Sequence, residues 1–261
     1  MAAPHETTIE NLTGRWVLVN MLSPPKRPGY NHIAIYRTRT YPAKQTLFLN
    51  WFEQLLYIYT QSPKLIPTYH PQQKVPWLIR KAFKFATIYI QITQYQTPSE
   101  TTQPSTNIDF LQTATAGLAA TREERVLDWK ISDHEDYFFG GVQARSEFVH
   151  GVTDAEGIVR PGFELQTTNG NAEIEKYLRG EIEADGRKSG GFIVKDCSKN
   201  EGGVWVHTFE RNVKSGWTAE QIWGFEMFGD ERYFSRRVVV MGTKGAYICG
   251  RVVFDFIKHQ G

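Results

Sequence analysis

Between positions 86 and 93 the chain alternates, with Ala86, Ile88, Ile90 and Ile92 set against Thr87, Tyr89, Gln91 and Thr93. A period of two places the first set on one face of an extended strand and the second on the other. Strand signals recur over Arg15 to Met21, Asn107 to Thr115, Arg122 to Trp129, Asp136 to Val149, Gly203 to Val213, Trp217 to Phe228, Arg232 to Met241 and Ala246 to Ile257. That makes nine strands, with a tenth candidate near Phe192 to Val194. Turn formers separate the last ones at Lys214-Ser215-Gly216, Gly229-Asp230 and Gly242-Thr243-Lys244-Gly245. The pattern predicts an all-β fold, an antiparallel up-and-down barrel of about eight to ten strands. Closing such a sheet removes its exposed edges and leaves room for one small ligand. Two helical stretches interrupt the pattern. Trp77 to Phe83 reads as a short helix near the N-terminus, with Pro76 tolerated in its first turn, and Glu173 to Leu178 as a brief one. The surrounding Gly151 to Gly202, rich in glycine and charge, reads mainly as a long solvated loop at the barrel mouth.

Composition narrows the class. A chain of 261 residues with 41% apolar and 22% charged positions buries one substantial core, so a single domain over residues 1–261 is expected. One stretch is foreign to it. Pro24 to Gln73 holds seven of the twelve prolines, six of the twelve tyrosines and one glycine. Two readings compete for residues 24–73. One is an insertion in which Leu47, Phe48, Trp51, Phe52, Leu55, Leu56 and Ile58 form an apolar helical stripe over the barrel mouth. The other is translated intron from an unspliced gene. The net charge of +2 divides unevenly, with +5 in this stretch and −3 elsewhere. A basic balance confined to one segment argues against nucleic acid, which needs basic groups gathered on a folded face.

The opening Met1-Ala2-Ala3-Pro4-His5-Glu6 lacks the basic and apolar regions of a secretory signal, and no run of 18 apolar residues occurs. A cytoplasmic protein with no membrane span is therefore expected, and the sequon Asn11-Leu12-Thr13 is expected to stay unmodified. Cys197 and Cys249 are too few for a disulfide framework or a cysteine zinc cage.

The Gly14-Arg15-Trp16 strand start, a helix between the first two strands, and antiparallel strands ending in Cys249-Gly250-Arg251-Val252-Val253-Phe254 resemble the lipocalin and fatty-acid-binding-like (calycin) proteins. In fatty-acid-binding proteins the last strand carries an Arg-x-Tyr pair for a ligand carboxylate. Here Arg251 is followed by Val253 at the Tyr position. A closer resemblance is to small lipocalin-like proteins of filamentous fungi. It is carried by Gln112-Thr113-Ala114-Thr115, Leu127-Asp128-Trp129, Phe139-Gly140-Gly141-Val142 and Trp217-Thr218-Ala219-Glu220-Gln221-Ile222-Trp223-Gly224-Phe225-Glu226. Proteins of this kind occur in natural-product gene clusters, and some related barrels are assigned as Diels-Alder cyclases. The resemblance implies a cofactor-free cyclase acting on a polyketide-derived hydrophobic intermediate. A non-catalytic carrier of a small hydrophobic ligand is the alternative, and a filled barrel serving as a scaffold is a third reading.

Specific catalytic signatures are absent: no nucleophile elbow, phosphate loop, HExxH or dinucleotide fingerprint stands in the required context. His134-Glu135-Asp136 is read as a solvated turn rather than a metal site, since adjacent residues point apart. No metal or cofactor is expected. On the strand from Trp217 to Phe228, Trp223, Phe225 and Met227 share one face, while Ile222, Gly224 and Glu226 share the other. Trp223 and Phe225 are candidates to line a cavity. Asp128, Glu226 and Arg251 stand out as charges inside apolar strand patterns, and such charges must be paired if they point inward. Arg251, Trp129 and His207 are candidate donors to a ligand carbonyl. Arg232 and Arg236 are expected to pair with Glu226 across the ladder. No residue is assigned a catalytic role, and the oligomeric state is left open.

Overall fold

A computed structural model describes residues 1–19, 87–98, 104–114, 121–136, 140–167, 172–194, 202–243, 245 and 247–259. The readings of residues 24–73 and of the helix from Trp77 to Phe83 lie outside these residues. The strands are β1 (Gly14–Leu18), β2 (Ile88–Thr97), β3 (Ser105–Ala114), β4 (Thr121–Val126), β5 (Ser132–Asp136), β6 (Gly140–Thr153) and β7 (Val159–Pro161). Helix α1 (Ala172–Leu178) follows, and then β8 (Val204–Asn212), β9 (Thr218–Phe228), β10 (Glu231–Met241) and β11 (Tyr247–Lys258). The strands join in one antiparallel sheet in the order β4-β3-β2-β1-β11-β10-β9-β8-β6-β5, with β7 attached to β6. Mostly antiparallel β-structure is thus the architecture, as alternation predicted.

The sheet curls because the apolar residues of one of its faces form a cluster drawn from strands all along it. Trp16, Ile90, Phe110, Val142, Val206, Trp223, Phe234 and Phe254 pack together from β1, β2, β3, β6, β8, β9, β10 and β11. Only a concave face brings such distant strands into contact. The curl brings the segment just beyond β4 to β6, where Leu127 bridges Ser146 and the Trp129 amide donates to the Ser146 carbonyl at 2.8 Å. Trp129 does so at φ 57°, a backbone region that costs a non-glycine residue about 1–3 kcal/mol.

Residues 1–13 cover one end of this interior. Arg232 donates to the carbonyls of Pro4 at 2.8 Å and Thr7 at 2.6 Å, while Ile9 and Leu12 are buried. Above them Trp16 donates its indole N–H to the Leu12 carbonyl at 3.1 Å and meets Phe256 edge-on at 4.9 Å.

The convex face carries a second core. Ile174, Tyr177 and Leu178 of α1, with Phe192 beyond it, pack on Trp205, Ile222, Val239 and Cys249. Gly224 permits this approach, because a Cβ there would lie 2.6 Å from Trp205 and 2.7 Å from Phe192. This corrects the reading of 151–202 as mainly solvated loop: its described residues include β7, α1 and a buried cover for the sheet. The expected strand near Phe192 reduces to a bridge with Glu226 and one amide bond from Ile193 to the Phe225 carbonyl at 2.7 Å. The one helix among the described residues therefore lies in the C-terminal half, where Glu173 to Leu178 anticipated it.

Candidate ligand-binding site

Alternation along β8, β9 and β10 sends successive side chains to the two cores, and both faces hold buried charge. On the inner face the sites are set by cross-strand pairing. Arg236 sits opposite Trp223, Gln221 opposite Thr208, and Glu210 between Ala219 and Ala144. From the other side of the curl, β4 contributes Glu123 and Arg125, opposite Phe110 and Ile108 of β3. Arg125 forms ion pairs with both Glu123 and Glu210 and donates to the Ser146 hydroxyl at 3.2 Å. Burial works against the charge of Arg125, but the two carboxylates outweigh it and hold its pKa above the ordinary value.

Arg236 is different. It is 3% exposed and lies over the rings of Trp223 at 4.0 Å and Phe110 at 4.7 Å, with Phe254 and Phe234 at 5.3 and 5.4 Å. Its Nε and Nη2 have no hydrogen-bond partner. Burial pulls its pKa down to about 9, with Arg125 adding to the effect and Glu123 and Glu210 opposing it. Aromatic faces attract a guanidinium through its charge, yet leave its edge N–H groups unsatisfied. On the same inner face the Thr208 hydroxyl, the Gln221 amide nitrogen, one Glu210 oxygen and the Arg125 Nε also lack partners. Unsatisfied buried polar atoms are rare, and several of those among the described residues gather on this one face.

The outer face is built otherwise. Glu226 accepts from Ser235 at 2.6 Å and from Arg237 at 2.8 Å, and lies 3.4 Å from Arg251. Arg237 also donates to the Tyr177 and Ile182 carbonyls, and Arg251 pairs with Glu183 at 2.6 Å. Burial would raise the pKa of Glu226, but Arg237 and Arg251 overcome that and keep it below the ordinary carboxylate range. Farther along, His207 donates from Nε2 to Glu220 at 2.9 Å and lies between the tilted rings of Trp129 at 4.7 Å and Phe163 at 4.8 Å. Glu220 in turn accepts from the backbone amides of Gln166 and Thr167, pinning that segment to the sheet. Burial opposes charge on His207, while Glu147 and Glu220 raise its pKa above the ordinary value.

The candidate residues thus divide. Trp223 and Phe225 are on the inner face, as the shared-face reading required. His207, Glu226 and Arg251 are on the outer face, and Trp129 stacks there on His207. Asp128 is in a turn, accepting from the Lys130 amide at 3.0 Å. The expected pairing of Arg232 and Arg236 with Glu226 does not form, because the two arginines point inward and Glu226 outward. Arg237, one position along, takes the role instead. The residues that reasoning from sequence missed are Arg125, Glu123, Thr208, Glu210 and Gln221. The spacing of Thr208 and Glu210 on β8 put both on one face, but nothing local said that this face was inside.

Among the described residues no group of three His, Cys, Asp or Glu side chains could hold a metal ion, and no helix is long and apolar enough to cross a membrane. A scan against protein-family models, a search of curated proteins and a search of solved structures found no match to this chain.

Proposed function

We propose that the chain is a calycin-like barrel that folds a polyketide-derived polyene in its interior and cyclises it by a pericyclic, Diels-Alder-type step. The observation that carries this reading is Arg236, whose buried Nε and Nη2 have no hydrogen-bond partner, set among the aromatic rings of the concave face. A pericyclic step needs no nucleophile. It needs walls that hold a flexible chain in a reactive conformer, which removes part of the entropic barrier. A donor aimed at a carbonyl conjugated to the dienophile adds electrostatic stabilisation where charge develops. In this reading Trp223, Phe225 and Phe110 supply wall, and Arg236 supplies the donor that Arg251, His207 and Trp129 cannot supply from the outer face.

The test is incubation of the purified protein with a linear polyene bearing an activating carbonyl. A faster reaction giving one ring stereoisomer is expected. An unchanged rate and product ratio rejects the cyclase, and tight binding without turnover assigns the chain as a carrier.

A further inference from the structure

The inner polar cluster has a definite donor and acceptor inventory. Nε and Nη2 form one edge of the Arg236 guanidinium, the fork that grips an oxygen acceptor through two parallel N–H groups. The Gln221 amide adds a donor, Glu210 offers one open acceptor oxygen, and the Thr208 hydroxyl serves either way. Gln221 and Thr208 face each other directly across β9 and β8, between the strand positions of Arg236 and Glu210. Charge decides what kind of head group suits them. Within the cluster two arginines, Arg125 and Arg236, face two carboxylates, Glu123 and Glu210, so its own charges balance before any guest enters, while Arg232, four positions along β10, is held by the Pro4 and Thr7 carbonyls. An anionic head would leave a desolvated interior with an uncompensated charge, which is costly. A neutral head keeps the balance and still fills the open bonds.

We infer that this cluster is a head-group site for a neutral guest carrying a carbonyl oxygen beside an N–H or O–H group. The carbonyl sits on the Arg236 fork and the donor points to Glu210, with Gln221 and Thr208 completing the contacts. Amides, β-hydroxy carbonyls and enolised dicarbonyls share that chemistry, whereas esters lack the donor and carboxylates carry the wrong charge. The inference rests on the reading of the interior as a guest chamber and specifies which guests it takes.

The experiment compares octanamide, methyl octanoate and octanoate at pH 7, with binding followed by calorimetry and by tryptophan fluorescence. Octanamide is expected to bind at least tenfold more tightly than either of the others. Arg236→Met should weaken octanamide at least tenfold, and the ester with it, because both place a carbonyl on the fork. Arg236→Lys keeps the charge without the fork and should lose most of that affinity, so the test survives if the Met variant does not fold. Octanoate binding more tightly than octanamide overturns the inference, as does octanamide binding left unchanged in Arg236→Met. Equal binding of all three overturns the head-group site but leaves the guest chamber standing. Failure of all three to bind brings down both.

Discussion

The two faces of β9 and β10 bury arginines at the same depth and treat them in opposite ways. On the convex face Arg237, 0% exposed, has a carboxylate, a hydroxyl and two backbone carbonyls around it. On the concave face Arg236, its neighbour in sequence, has aromatic rings and open N–H groups. A buried charge is tolerated when it is fully paired, and its removal is then harmful because the partner is stranded. A buried charge left unpaired does nothing for stability, and its retention has to be explained by something other than folding. The convex network fastens α1 and the segment after it to the sheet. The open edge of Arg236 is the part of the concave cluster that folding alone does not account for.

Glu226→Gln is the strongest way to break the contrast. It takes the charge from the nearer of the two carboxylates beside Arg237, leaving Glu183 at 3.7 Å, weakens the hold on Arg251, and should cost about 3 kcal/mol in denaturant unfolding. A loss below about 1 kcal/mol would mean that the convex network is not what holds α1 in place. Arg236→Met should behave oppositely, leaving stability unchanged or raising it by up to about 2 kcal/mol, since a desolvated guanidinium whose Nε and Nη2 have no acceptor is exchanged for an apolar chain of similar length. A loss above about 1 kcal/mol in the same assay would show that the four rings compensate its burial by themselves. The smallest effect is in pH dependence. His207 has its pKa raised in the folded protein, so its contribution is complete below about pH 6.5, the unfolded value, and fades as pH rises through the folded one. His207→Gln should flatten the stability profile above pH 6.5 in thermal melts recorded across that range. A profile with the same slope in both proteins would assign the dependence to other groups.

Much of the framework was legible in the chain. The period of two in β2 and β9 sorted Trp223 and Phe225 from Ile222 and Glu226 correctly, and hairpin turns separated β8 through β11 where turn formers cluster. The brief helix at Glu173 to Leu178 was equally local, a matter of apolar spacing and acidic residues in the first turn. The site was much less legible. Because β9 and β10 are covered on both faces, their buried residues run almost without a break, and polarity no longer reports direction. Glu220, Gln221 and Ile222 are all buried in succession, one side chain to each face in turn. The pairing of Glu226 with Arg232 and Arg236 was a sound use of cross-strand neighbours that chose the wrong parity.

What the amino-acid order determined by itself was the set of extended segments, their hairpin connections and the partition of each strand into two faces, because these depend on neighbours one or two residues apart. Which face became the interior was decided only when β4 curled round to meet β6 and α1 was laid over the back of β8 to β11. That choice depends on contacts between residues 20 to 100 positions apart, such as Arg125 with Glu210 and Tyr177 with the Gly250 carbonyl. No local pattern encodes it, and with it came the difference between an arginine that fastens the fold and one that waits for a partner.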